Sequence, residues 1–226
     1  MFVRKKNLAA LAAVMALCLA LCFGLSAVSA AKASPAFRPV VVLDAGHGGI
    51  DPGVIGTDTG AKESDINLGI VKILEELFAD AGFRVVLTRT NGGGLYGLPV
   101  GGHKKRDMQA RRARIEAARP DVVLSIHQNT FPADRSRRGG QAFYRTGEEG
   151  AAALASAIQR ELNGLWGGDY AALVGDYYML NCTQYTSVIV ECGFLSNREE
   201  EALLLTKEYR RAVASAVFRG TLAYFS

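Results

Sequence analysis

Four apolar segments of this chain each adjoin a side chain able to bind a metal or move a proton. They are Val41 to Leu43 leading to His47, the helical pattern that follows Glu63, Val122 to Ile126 leading to His127, and Val188 to Val190 leading to Glu191. Two histidines and a carboxylate are a common ligand set for a catalytic zinc, which keeps a fourth position for water, and a further carboxylate commonly takes that water's proton. The residue types therefore point to a zinc hydrolase, with Zn2+ as the expected cofactor. Asn129, two residues beyond His127, alternates back to the same side of an extended chain and is a candidate to contact substrate or orient a ligand.

These groups are 80 residues apart from His47 to His127 and 64 from His127 to Glu191, so a fold must gather them. Val40 to Leu43 reads as a buried strand, with Gly46, Gly48 and Gly49 turning the chain around an exposed His47. Ile66, Ile70, Ile73, Leu74 and Leu77 follow helical spacing, with Ser64 or Asp65 as cap and Glu63 just ahead of the helix. Residues 83–88 and 122–126 read as strands and 107–118 as a helix. Residues 141–145, 177–180 and 187–191 add three strands, 151–165 and 207–224 two helices, and Ser196 with Glu199 reads as a capping box. The expected fold is α/β: one domain with a roughly six-stranded, twisted, mixed or parallel sheet and helices on both faces. Strand ends in such sheets converge on one edge, which is where ligands bind.

The order and spacing of Asp-Ala-Gly-His47-Gly-Gly, Lys-Glu63, Ser-Ile-His127-x-Asn129 and Val-Glu191-x-Gly-Phe-Leu-Ser-Asn resemble the zinc-dependent N-acetylmuramoyl-L-alanine amidases of bacterial cell walls, from about Val40 to the C-terminus. Within that family, Tyr-Met-Leu-Asn181, the Glu191 motif and Gly-Gly-Gln141-Ala-Phe-Tyr are most similar to the sporulation branch. The resemblance implies His47, Glu63 and His127 on zinc and Glu191 as general acid and base. It implies cleavage of the amide between N-acetylmuramic acid and the L-alanine of the stem peptide, in spore-cortex muramic lactam formation. It implies peptidoglycan as partner and leaves room for an activating envelope protein. Glu63 alone would read as a solvated helix-start charge, so its ligand role rests on the resemblance. The resemblance also matches Arg111 to a family arginine, read here as a salt-bridge support. Ala45 stands where the family often has proline.

Arg4, Lys5 and Lys6 precede an apolar run from Leu8 to Leu25, then small residues to Ala33. This is the layout of an export signal, cleaved after Ala30 or Ala33, or else retained as an anchor. Residues 1–33 are thus expected as signal or anchor and 38–226 as the catalytic domain, outside the cytoplasm in the cell envelope or the forespore intermembrane space. Membrane contact would come only through the N-terminal segment.

Removing residues 1–30 takes away three bases and no acid, leaving 23 Lys and Arg against 22 Asp and Glu. That balance gives no electrostatic case for nucleic-acid binding. The cluster Lys104, Lys105, Arg106, Arg111, Arg112 and Arg114 reads as a solvated helix start and outer face. Cys182 and Cys192 could pair in an oxidising compartment, but Cys192 also suits a buried strand as a small apolar thiol. His103 reads as loop surface, and Asp44 and Asp51 as loop-capping carboxylates. The Gly-rich segment from Asn91 to Gly102 either flanks the substrate groove or is a surface excursion.

Three other functions are weaker. A glycan hydrolase could use Glu63 and Glu191 but leaves two histidines unexplained. The Gly46 to Gly53 segment fits neither phosphate-loop spacing, and Pro52 lacks a donor. A general wall autolysin or a non-catalytic peptidoglycan-binding module stands as the alternative.

Overall fold

Valine and isoleucine fill the strands because branched side chains pack well on a pleated surface, and apolar clusters lie on both faces of the sheet. The computed structural model describes residues 38–226 and, alone before them, Met15, so the expected N-terminal signal lies outside the described residues. Residues 38–226 form one compact unit. Its elements are β1 (Val40–Ala45), α1 (Glu63–Asp80), β2 (Arg84–Leu87), α2 (His103–Ala118), β3 (Val122–Asn129), β4 (Gln141–Tyr144), α3 (Glu149–Trp166), β5 (Leu173–Val174), α4 (Tyr178–Asn181), β6 (Thr186–Phe194), α5 (Arg198–Leu204) and α6 (Lys207–Phe225).

The sheet order is β2-β1-β3-β6-β4-β5. The first four strands are parallel, β4 runs antiparallel to β6, and β5 is parallel to β4. The expected α/β fold with a six-stranded mixed sheet is the one observed. The larger core lies on one face, where Ile66, Ile70 and Leu74 of α1, Leu154 and Ile158 of α3 and Val213 and Val217 of α6 meet the inner residues of β1, β3 and β6. At its far end Phe78 stacks edge-to-face on Phe83 and Phe218, with centroids 5.1 and 5.0 Å away. On the opposite face Ile115 and Ala118 of α2, with Met179 and Leu180 of α4, cover Val42, Val123 and Ile189.

Several expectations need correction. The segment expected as a strand over residues 177–180 is instead the cap Tyr177 and the short helix α4, Tyr178–Asn181, and the edge strand is Leu173–Val174. A four-residue aromatic and apolar run carries no periodicity that separates the two. Helix α2 begins at His103, so His103 is a helix start rather than loop surface, and its ring lies edge-on to Tyr96. Glu63 is the first residue of α1, and the preceding Lys62 makes no side-chain cap. Asn197, not Ser196, caps α5 through the Glu200 N–H, while Ser196 Oγ accepts from the Phe131 N–H. The Asn91–Gly102 segment is tied down: Tyr96 accepts from the Ile50 N–H, and Arg106 donates to the carbonyls of Tyr96, Leu98 and Gly101. Cys182 and Cys192 are free thiols, and burial pushes the Cys192 pKa up.

Arg111 is fully buried and does not belong to the solvated basic face. It pairs with Asp44 at 2.6 Å and with Asp107 at 2.6 Å. Asp44 is therefore a buried strand residue and not a loop cap; it also accepts from Thr88 and Ser125, both at 2.6 Å. Burial alone would raise its carboxyl pKa, but Arg111 and the two hydroxyls outweigh that and hold it at about 2. A depressed pKa stabilises the fold above the unfolded value near 3.8 and is lost as the pH falls through about 2. Asp44→Ala should destabilise the fold by about 3–5 kcal/mol, because it takes from a buried guanidinium one of its two carboxylate partners. Urea unfolding should show this loss, together with a weaker rise in stability from pH 2 to pH 4 than the wild type has.

Candidate active site

His47 is presented by a turn rather than a strand. After β1 the chain reverses through Gly46 to Gly49, with His47 itself in the left-handed region at φ 60°. Gly46 is required by close approach, since a Cβ there would sit 2.3 Å from His127 Cε1. The turn is held by two buried arginines. Arg111 donates to the carbonyls of Ala45 and His47, and Arg89 to those of Ala45, Gly46 and Ser64.

The ring of His47 is fixed through Nδ1, which lies 2.9 Å from Asp51 Oδ2, so that Nε2 faces Glu63 Oε1 at 3.4 Å. His127 Nδ1 approaches the same oxygen at 3.0 Å. Glu63 is buried and saturated with donors. Oε1 also accepts from the Gln128 N–H at 3.0 Å and Asn67 Nδ2 at 3.2 Å, and Oε2 from the Val54 N–H at 2.7 Å. Gly53, at φ 69°, gives it room, as a Cβ there would meet Oε2 at 2.4 Å.

The electrostatics follow from this packing. Burial works against a charged Glu63, but the hydrogen bonds and charges of His127 and His47 outweigh it and hold the carboxyl far below its usual range. Burial likewise disfavours a charged His47, yet Glu63 and then Asp51 lift its pKa to about 9.

Glu191 differs. Strand register sets it directly beside His127, and neighbouring residues in register point to the same face of the sheet. Its Oε2 is sealed from solvent with no hydrogen-bond partner among the described residues. Burial pushes its carboxyl up to about 7, with the charge of His127 opposing that shift and the charge of Glu63 adding to it.

His47, Glu63, His127, Glu191, Asn129 and Tyr177 all line one cleft of about 340 Å³ with the apolar walls Val54 and Ile189. Asn129 accepts from the Thr130 N–H through Oδ1, which leaves Nδ2 free to donate. One donor atom from each of His47, Glu63 and His127 falls within 4.8 Å of the others. Zinc bonds of about 2.0–2.1 Å in a tetrahedron place ligand atoms roughly 3.4 Å apart. The 3.4 and 3.0 Å separations from Glu63 are of that size, and the cleft leaves a side open, so the donor set fits a catalytic divalent metal.

Sequence reasoning missed the residues that support this set. Asp51 caps its loop as expected, Oδ1 accepting from the Gly53 N–H, and its other oxygen is also the orienting partner of His47. Asn67 reaches Glu63 from one turn along α1, an (i, i+4) spacing that the sequence does contain. Gln128 donates to Asn67, and Tyr177, expected in a strand, reaches the cleft from the start of α4.

Comparison with known proteins agrees with this geometry. A family model described as N-acetylmuramoyl-L-alanine amidase matches residues 41–223. The germination-specific N-acetylmuramoyl-L-alanine amidase of Bacillus subtilis is 31% identical over 198 residues, covering 85% of this chain and 82% of the relative. The uncharacterised protein YqiI of the same species is 32% identical over 199 residues, covering 87% and 89%. Among solved structures, the CwlD amidase from Clostridioides difficile, in complex with the GerS lipoprotein, is similar with a TM-score of 0.78 and 33% identity, covering 83% of this chain and 98% of that one. A match over most of the chain, from residue 41 to residue 223, means that this chain belongs to the N-acetylmuramoyl-L-alanine amidase family.

Proposed function

We propose that the chain is a zinc-dependent peptidoglycan amidase that releases the stem peptide by cleaving the bond between the lactyl group of N-acetylmuramic acid and L-alanine. The observation that carries this reading is the meeting of His47, Glu63 and His127 beside a carboxylate, Glu191, whose Oε2 has no hydrogen-bond partner among the described residues. His47, Glu63 and His127 would hold the metal, which when bound supplies Lewis-acid polarisation of the scissile carbonyl and activation of water near neutral pH.

The chain's own groups do the rest. Glu191 Oε2 takes a proton from the attacking water and returns it to the leaving nitrogen of L-alanine, the step without which an amine is a poor leaving group. A carboxyl lifted to about 7 can both accept and give that proton near neutrality. Asn129 Nδ2 donates to a substrate carbonyl, and Val54 and Ile189 limit competing water. Asp51 keeps Nε2 of His47 turned into the site.

The relatives named for germination and CwlD support a role in spore-cortex muramic lactam formation, and the complex of CwlD with a lipoprotein supports an activating envelope partner here. Export by residues 1–33 places the domain of residues 38–226 outside the cytoplasm, where peptidoglycan lies.

The full chain incubated with peptidoglycan should release free L-alanyl stem peptides, identified by mass spectrometry, and a chelator should stop the release. Cut glycan strands with peptides still attached would instead mean a glycosidase. Glu191→Gln should lower kcat by about 10²- to 10⁴-fold while zinc content is unchanged. Asp51→Ala should weaken zinc affinity by about 10- to 100-fold in a competition titration with a chromophoric chelator.

A further inference from the structure

The cleft opens in two directions, and the two openings differ in charge. On one side, through Asn129, it continues into a depression of about 290 Å³ whose wall includes Arg137, Phe143, Tyr170 and Leu173. On the other, through His47, His127 and Tyr177, it continues into one of about 270 Å³ whose rim carries Lys104 and Tyr178. A substrate held across its scissile amide must extend both ways, with the muramoyl sugar to one side and the peptide to the other.

Charge separates the two. The lactyl carboxyl of muramic acid is consumed in the amide, so the sugar side is neutral. The peptide side is not: its second residue is joined onward through its γ-carboxyl, which leaves an α-carboxylate free unless it is amidated.

The Arg137 arm has no acidic residue in its wall, and the Arg137 guanidinium has no ion-pair partner among the described residues. Asp134 lies near enough for its charge to feel Arg137, but its carboxylate accepts from the Ser136 N–H and hydroxyl. In the Tyr177 arm the charges are already matched: Asp44 to Arg111, and Asp51 to His47 with Lys104 close by. That arm offers the half-exposed rings of Tyr177 and Tyr178, which suit a neutral sugar.

Arg137 also has an aromatic seat. Its guanidinium carbon sits over the Phe131 ring, 4.7 Å from the centroid, and the guanidinium N–H groups make no hydrogen bond among the described residues, so they are free for a two-pronged contact with a carboxylate. Phe131 is itself anchored by its N–H to Ser196 Oγ, at the turn that follows β6.

We infer that the Arg137 arm is the peptide subsite and that Arg137 reads the free α-carboxylate of the second stem residue. The chain then prefers stems in which that carboxyl is not amidated. This deepens the amidase reading and rests on it.

The test compares two muramoyl peptides, one with D-glutamate and one with D-isoglutamine in second place, for kcat/KM with the full chain. In parallel, L-Ala-γ-D-Glu-L-Lys and its isoglutamine analogue are titrated into the same protein by calorimetry. Wild type should favour the carboxylate form about tenfold in both, the scale of one solvent-accessible charge-assisted contact. Arg137→Gln should lose that preference by slowing only the carboxylate substrate, and Arg137→Lys, which keeps the charge but not the fork, should keep part of it. Peptide release with no preference in wild type, or a preference that survives in Arg137→Gln, overturns the inference and leaves the amidase reading standing. Failure to cleave either amide overturns both.

Discussion

Everything in the site hangs on two guanidiniums buried at the end of β1. Arg111 and Arg89 both reach the carbonyl of Ala45, and between them they also hold the carbonyls of Gly46, His47 and Ser64. A turn that leaves His47 at positive φ is costly for a residue with a Cβ, and it persists where the surroundings over-determine it. Two cations so close also repel: burial and then Arg111 lower the Arg89 pKa to about 10. Asp44 and Asp107 offset the charge of Arg111, whereas Arg89 has only carbonyl oxygens as partners. The carboxylate of Asp44, far from being a loop cap, is with Asp107 a counter-charge to the buried cation pair.

From that fixed turn the parallel sheet does the gathering. β3 lies between β1 and β6, so His127 is flanked by the His47 turn on one side and by Glu191 on the other. The register shift between His127 and Asn129 alters the pairing just past the site, and Asn129 is then paired with Phe194 instead of the residue that strict register would give. α1 completes the set from the covered face: its first residue, Glu63, enters between the two imidazoles because Val54 and Gln128 supply the backbone donors that a buried carboxylate requires.

Much of this was legible in the sequence, and the reasons are specific. Val40 to Leu43 and Val122 to Ile126 are runs of branched residues too short for helices, so the strands, and the histidines following them, could be placed. The motif order carried Glu63, which composition alone would have left as surface. What stayed hidden was side-chain contact with remote backbone. Nothing local marks Arg89 as buried, since apart from the Asn91 carbonyl its partners are carbonyls 25 to 44 residues away in sequence. Arg111 sits in a helix so rich in charge that its pattern reads as solvated; the family resemblance marked it as a salt-bridge support, which its pairs with Asp44 and Asp107 bear out, but its full burial emerges only from the fold. The segment from Tyr177 to Leu180 was misread because four apolar and aromatic residues fit a strand as well as one helical turn.

The two glutamates of the cleft show how environment, rather than residue type, divides roles. Glu63 and Glu191 lie in one cleft beside the same two histidines, yet their acidities are driven apart. Glu63 accepts from two backbone N–H groups, an amide side chain and the imidazoles, so its charged form is favoured despite burial. Glu191 has one oxygen buried with no donor, so burial dominates and its neutral form is within reach at pH 7. Exchanging the roles would require moving the donors, not the carboxylates. A permanently ionised group is suited to holding a cation and a group that titrates near neutrality to carrying a proton, which is the division that the proposed reaction needs.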